Sequence, residues 1–182
     1  MSDRIFEGES LADGGAPCEP GELLAKLAEM GIEAKTVEHA PVFTVEEAKA
    51  LRGELEGAHI KNLFLRNKKG AMWLVTCLED RAVDLKSLGE TLGAGRFSFG
   101  SAERLMKHLG VRPGAVTPLA VINDTGGAVT MVLDKGVLEH PVVNAHPLVN
   151  DKTTALSPGD LLRFLEAQGH APKLLEMESA GA

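Results

Sequence analysis

Apolar residues recur at helical spacing over residues 22–30, where Leu23, Leu24, Leu27 and Met30 share one side and Gly31 follows as a C-terminal stop. Residues 34–38 predict a short strand. Thr44 then caps a predicted helix running to Ala50, with Glu46 and Glu47 at its positive end. The clearest strand signal comes next. Residues 60–66 and 72–78 are rich in large and β-branched apolar side chains and flank the turn Asn67-Lys68-Lys69-Gly70, which predicts a hairpin.

The pattern then returns to helices. Residues 84–92 predict one ended by Gly93, and residues 101–109 another, capped by Ser101 and stopped by Gly110. Residues 116–122 and 129–133 read as strands around the turn from Asn123 to Gly127. Extended segments follow at 142–149 and 153–156. Ser157-Pro158 opens a last helix, 159–167, closed by Gly169, and 173–177 predicts a final strand.

Helices and strands are interleaved, but the central strands sit in hairpins. That order predicts an α+β single domain with a mixed or antiparallel central sheet flanked by helices, rather than a doubly wound parallel sheet. Residues 1–20 hold glycines, prolines and acids without periodicity and read as a flexible N-terminal leader, leaving 21–178 as the domain.

Composition narrows the function classes. The 182 residues suffice for one domain with a sizeable core, and 44% hydrophobic with 25% charged residues is ordinary for a globular protein. No apolar run approaches the roughly 18 residues needed to span a bilayer. Two cysteines, Cys18 and Cys77, cannot build a disulfide framework, which predicts reduced thiols and a cytoplasmic location. The net charge of −7 argues against a protein that coats duplex DNA, yet allows a grip on one end of an RNA through a few cations. Two local clusters offer them: Lys61, Arg66, Lys68 and Lys69, and separately Arg104, Lys107 and Arg112.

Several motifs are missing from the sequence. There is no Walker A signature and no Gly-x-Ser-x-Gly elbow. Gly93-Ala94-Gly95 begins like a dinucleotide finger, but Arg96-Phe97-Ser98-Phe99 continues as a strand where the finger needs a helix. The six histidines never pair at i,i+4 and no Cys-x-x-Cys occurs, so no zinc set is expected and no cofactor is implied.

Three segments carry candidate chemistry. In Lys61-Asn62-Leu63-Phe64-Leu65, alternation puts Lys61, Leu63 and Leu65 on one face and Asn62, Phe64 and Arg66 on the other. A lysine beside two leucines either snorkels to the surface or points into a cleft. In Gly114-Ala115-Val116-Thr117-Pro118 the glycine opens the backbone to a ligand and Pro118 fixes its own φ; alone, the segment also reads as a turn into a strand. In Asn144-Ala145-His146-Pro147 the histidine is either a site imidazole or a structural residue in the extended geometry that precedes proline.

Together and in this order, these segments resemble the YbaK/ProX-type prolyl-tRNA editing deacylases, a family related to the editing insertion of bacterial prolyl-tRNA synthetase. The resemblance covers roughly residues 21–177. It implies a partly barrel-like sheet of the YbaK/aminoacyl-tRNA synthetase-associated type. It also implies metal-free hydrolysis of mischarged Ala-tRNA(Pro) in trans, with the tRNA's terminal ribose hydroxyl assisting the attacking water. Lys61, Gly114 and His146 then take the catalytic positions. Asn62, Ala115, Val116, Thr117 and Pro118 contact substrate, and Phe43, Thr44, Ser98 and Phe99 fall where the family builds its amino-acid pocket. Asp151-Lys152 departs from the small uncharged residues expected there. The implied partner is the acceptor end of tRNA(Pro), with prolyl-tRNA synthetase or an elongation factor as a recruiter. A Cys-tRNA(Pro) deacylase and a non-catalytic module that binds the acceptor end are the alternatives.

Overall fold

The computed structural model describes residues 4–41 and 57–178. The expected hairpin is its spine. Strand β2 (Ala58–Arg66) pairs antiparallel with β3 (Met72–Leu78), in register from Ile60 opposite Leu78 to Arg66 opposite Met72. Asn67 closes the turn: its Oδ1 accepts from the amides of Lys69 and Ala71, and its Nδ2 donates to the Ala94 carbonyl.

Five further strands extend this pair. β5 (Val129–Asp134) lies parallel to β3, and β8 (Lys173–Leu175) lies parallel to β5. On the other side, β6 (Val143–Ala145) runs parallel to the start of β2. β7 (Lys152–Leu156) then pairs antiparallel with both β6 and β1 (Lys35–Glu38). β4 (Ser98–Phe99) stands off this path and pairs with the end of β2. Parallel and antiparallel ladders coexist, so the sheet is mixed and the fold is α+β, as the sequence pattern predicts.

Alternation along the hairpin sorts two apolar layers. Phe64, Met72, Leu74, Val129, Met131 and Leu133 face the larger core, which also takes in Leu23 and Leu27 of helix α1 (Pro20–Glu29) and Leu161, Phe164 and Leu165 of helix α4 (Pro158–Ala167). Leu65, Val75 and Val132 face a smaller cluster closed by Phe97 and by Leu88 of helix α2 (Leu85–Thr91). Helix α3 (Ala102–Leu109) starts at a Ser101 cap and ends at Gly110 in the left-handed region, φ 63°, matching both punctuation signals.

The structure departs from the sequence pattern in three places. Residues 116–122 are not a strand. Pro118–Asn123 forms a 3-10 turn with Thr117 as its cap, the Thr117 hydroxyl accepting from the Leu119 amide. Leu119, Ala120 and Val121 are all buried, and a short run that is apolar on every side has no period to distinguish helix from strand. The extended stretch 142–149 shrinks to β6, because Leu148 adopts φ 72° and turns the chain.

The third departure is at the start of the chain. Residues 4–19, expected as a flexible leader, pack on the domain. Phe6 is 2% exposed beneath the Arg112 guanidinium, and burying such a side chain contributes about 1.5–3 kcal/mol. Glu19 accepts from the Ile5 and Phe6 amides, and the Asn123 side chain accepts from the Cys18 amide at 2.8 Å. Those partners lie too far along the chain for local periodicity to reveal them. The helix expected after Thr44, and the pocket positions Phe43 and Thr44, lie outside the described residues.

Candidate active site

A gap in the sheet organises the site. β3 covers one edge of β2 along its length. The other edge meets β6 only at Ala58 and His59, and β4 only at Leu65 and Arg66. Between those contacts, no described strand pairs with the edge that carries Lys61, Asn62 and Leu63. This opening is bordered by the segment leaving β6, which is His146, and by β4, which is Ser98 and Phe99.

Asn62 ties the opening to the 114–118 loop. Its Nδ2 donates to the Val116 carbonyl at 3.1 Å, while its Oδ1 accepts from the Thr76 hydroxyl at 2.6 Å. The amide is thereby fixed in one orientation. Gly114 is exposed with φ 91°, a conformation costly for any residue with a Cβ. Ala115, Thr117 and Pro118 turn their side chains inward and anchor the loop. The Ala115 amide donates to the Arg112 carbonyl, whereas the Gly114, Val116 and Thr117 amides have no hydrogen-bond partner among the described residues. The loop therefore offers main-chain donors beside Asn62.

Lys61 projects from the face of β2 opposite to that of Asn62. Its ammonium donates to the Arg81 carbonyl at 2.5 Å. Directly across the ladder lies Cys77, whose thiol burial pushes up to about 11 despite the nearby Lys61 charge. At neutral pH it is a thiol, so it supplies no nucleophile.

His146 sits on the rim. Its Nδ1 lies 2.9 Å from the Lys152 carbonyl, which can only accept, so Nδ1 carries the proton and Nε2 presents a lone pair. Burial lowers the imidazole pKa, with the neighbouring His39 acting in the same direction and the Lys152 carbonyl opposing both. The ring is neutral at pH 7. The His39 ring is centred 6.3 Å away and is fully engaged, through Nδ1 with the Ala40 carbonyl and through Nε2 with the Thr153 hydroxyl. His39 and Thr153 had no sequence signal, since β1 and β7 are brought together by a pairing across more than a hundred residues.

The structure thus joins Asn62 and Val116 by direct contact, while Lys61 points to the other face of β2 and His146 directly follows β6. Ser98 and Phe99 do not wall an enclosed pocket: both are exposed, and Phe99 keeps 62% of its surface open. Among the described residues, no group of three or more His, Cys, Asp or Glu side chains is placed to hold a metal, and no helix is long and apolar enough to cross a membrane.

The chain belongs to the aminoacyl-tRNA editing domain family, whose model matches residues 39–164. Its domain is therefore of the deacylase class. Among its relatives is a prolyl-tRNA synthetase associated domain-containing protein of Danio rerio, 40% identical over 171 residues, covering 91% of this chain and 93% of the relative. The prolyl-tRNA editing protein ProX of Acetoanaerobium sticklandii is 38% identical, covering 85% of this chain and 95% of its own. A solved structure, provisionally described as a trans-editing enzyme for prolyl tRNA synthetase, superposes with a TM-score of 0.67 at 21% identity, covering 91% of this chain and all of that one.

Proposed function

We propose that this protein edits the prolyl-tRNA system in trans, hydrolysing the ester of mischarged Ala-tRNA(Pro). The observation that carries the reading is the Asn62–Val116 hydrogen bond at the stretch of the β2 edge that no described strand pairs, which sets main-chain donors beside that edge. Likeness to the ProX editing protein supports the prolyl-tRNA assignment.

An aminoacyl ester is already activated, so the protein needs to position it, polarise its carbonyl and admit a water. Free amides of the 114–118 loop receive the developing oxyanion, each such donor contributing about 2.7–4 kcal/mol in well-studied enzymes. Lys61 exchanges the Arg81 carbonyl for the ester or its neighbouring phosphate when substrate arrives. His146 Nε2 accepts a hydrogen bond from the terminal ribose hydroxyl, which orients the water. The water oxygen bonds to the carbonyl carbon, the ester bond breaks, and the products are free alanine and a restored ribose hydroxyl. No protein nucleophile and no metal enters this scheme. Discrimination against the bulkier prolyl ring is by size, since steric rejection of a larger group is stronger than the roughly 1–3 kcal/mol that a missing methylene supplies.

The test is parallel deacylation of alanyl-, cysteinyl- and prolyl-tRNA(Pro) by wild type and Lys61→Ala. The alanyl ester is expected to disappear first, at a rate that EDTA does not alter and that the substitution reduces. Rapid loss of the cysteinyl ester with the alanyl ester intact reassigns the substrate. Binding of tRNA with no turnover of any ester makes the protein a non-catalytic module.

A further inference from the structure

The opening in the sheet has an exposed aromatic on its far border. Phe99 is the most exposed large hydrophobic side chain among the described residues. It is held there rigidly. Phe99 pairs with Leu65 and Ser98 with Arg66 on β2, and the Gly100 amide donates to the Phe64 carbonyl at 2.9 Å. A Cβ on Gly100 would fall 2.5 Å from the Phe64 ring, so only glycine lets β4 approach β2 this closely.

Cations lie in the segments that flank β4. Lys68 and Lys69 sit in the β2–β3 turn, whereas Arg66, opposite Ser98, alternates to the other face of β2. Arg96 precedes β4, and Arg104 lies in the first turn of α3. The hydrogen bond from Asn67 to the Ala94 carbonyl ties the two groups together. None of the five makes an ion pair among the described residues. Some cations elsewhere are engaged: Lys107 pairs with Glu103, Arg163 with Asp160, and Arg112 with the Ile5 carbonyl and the Phe6 ring. Lys68, Lys69 and Arg96, which make no ion pair among the described residues, form a local cluster of positive charge in a chain of net charge −7.

We propose that the Phe99 surface is the binding platform for the single-stranded 3′ end of the tRNA, the ring stacking on an unpaired base while Lys68, Lys69, Arg96 and Arg104 meet its phosphates. Stacking on an exposed aromatic and backbone neutralisation by nearby cations are the two components of single-strand recognition. Along β2, four residues separate Lys61 from Leu65, the partner of Phe99, or about 13 Å at strand rise. An unpaired chain end can span that distance with its ester beside Lys61 and Asn62. The inference rests on the tRNA substrate proposed above, and it assigns the direction from which the chain end enters: over β4.

Binding of an uncharged acceptor-stem hairpin with its single-stranded 3′ terminus, and of the same hairpin trimmed to a blunt end, tests the platform without requiring hydrolysis. Phe99→Ala should weaken binding of the tailed hairpin about 5- to 150-fold, Phe99→Trp should restore it, and neither should change the blunt one. Lys68→Ala and Lys69→Ala should each reduce the slope of log affinity against log salt by about 0.7. Deacylation by Phe99→Ala should show a raised KM with kcat retained. If wild type deacylates and Phe99→Ala binds the tailed hairpin as tightly as wild type, the platform falls while the deacylase stands. If wild type binds the tailed hairpin through Phe99 but hydrolyses no ester, the platform stands and the deacylase falls. Equal loss on both hairpins makes Phe99 a structural residue and also overturns the proposal, as does a wild type that binds neither.

Discussion

Asn62 donates to the carbonyl of Val116 across 54 positions of sequence, and this one bond joins the open edge of the sheet to the donor loop. Thr76, directly opposite on β3, holds the other end of the same amide. Replacing Asn62 by alanine leaves both the Val116 carbonyl and the Thr76 hydroxyl without their partner. The expected cost is about 1–3 kcal/mol in urea unfolding, with a larger proportional loss in kcat/KM. Asn62→Asp should be worse for activity, since a carboxylate oxygen would then face the carbonyl. Activity unchanged in Asn62→Ala would separate the loop from the chemistry.

Gly114 allows a more local test. Its φ of 91° is strained for any side chain, so Gly114→Ala should destabilise the fold by about 1–3 kcal/mol or force the loop to relax. Either outcome displaces the amides, and kcat should fall more than KM rises. Steady-state kinetics alongside thermal melting distinguish this from simple unfolding.

The titration of His146 makes a prediction about pH. Burial holds its pKa below the ordinary value, so the ring stays neutral, with Nε2 able to accept, down through pH 6.5. Ester hydrolysis should therefore be flat across neutral pH and decline only as acidity reaches the lowered pKa. His146→Gln should remove that acid limb. A profile whose acid limb persists in the variant would assign the titration to another group.

A second histidine governs stability and leaves chemistry alone. His170, 5% exposed, meets Asp124 at 2.9 Å, and this hydrogen bond raises the histidine pKa against the effect of burial. Burial pushes the Asp124 carboxyl up, but the bonds from His170 and from the Val129 and Ala128 amides outweigh it and leave the pKa lowered. A raised histidine pKa contributes stability that is complete below the unfolded value near 6.5 and lost as pH rises through the folded value. The lowered aspartate contributes stability above its unfolded value, lost as pH falls through the folded one. The midpoint of urea unfolding should thus be highest between the two and drop towards alkaline pH, and His170→Gln should abolish the alkaline drop. Asp124 retains two amide donors, so the cost in the acidic part of that window should sit near the low end of the roughly 3–5 kcal/mol expected for breaking a buried pair.

How far the sequence could be read follows from the range of each interaction. The hairpin, the α3 cap at Ser101 and the stop at Gly110 depend on neighbours a few residues away, and the structure reproduces them almost residue for residue. Residues 116–122 had no such local signal. Val116, Leu119, Val121 and Ile122 look like a strand, but Thr117 and Pro118 begin a 3-10 turn because every side of that run is buried. Phe6 within residues 1–20 is illegible for the opposite reason, since an isolated aromatic among acids and glycines has no period at all, and only the finished core gives it a place.

By itself the sequence determined the class of fold, the alternation that sends Lys61 and Asn62 to opposite faces, and the three segments whose company marks the family. Only tertiary structure decided that β6 and β4 meet one edge of β2 at its two ends, with no described strand pairing between them, and that Asn62 there bonds to the Val116 carbonyl of a loop 54 positions away. The physical reason is that a strand's periodicity fixes where its own side chains point, whereas which edge it pairs with, and how far, depends on distant segments brought together by burial of a common core.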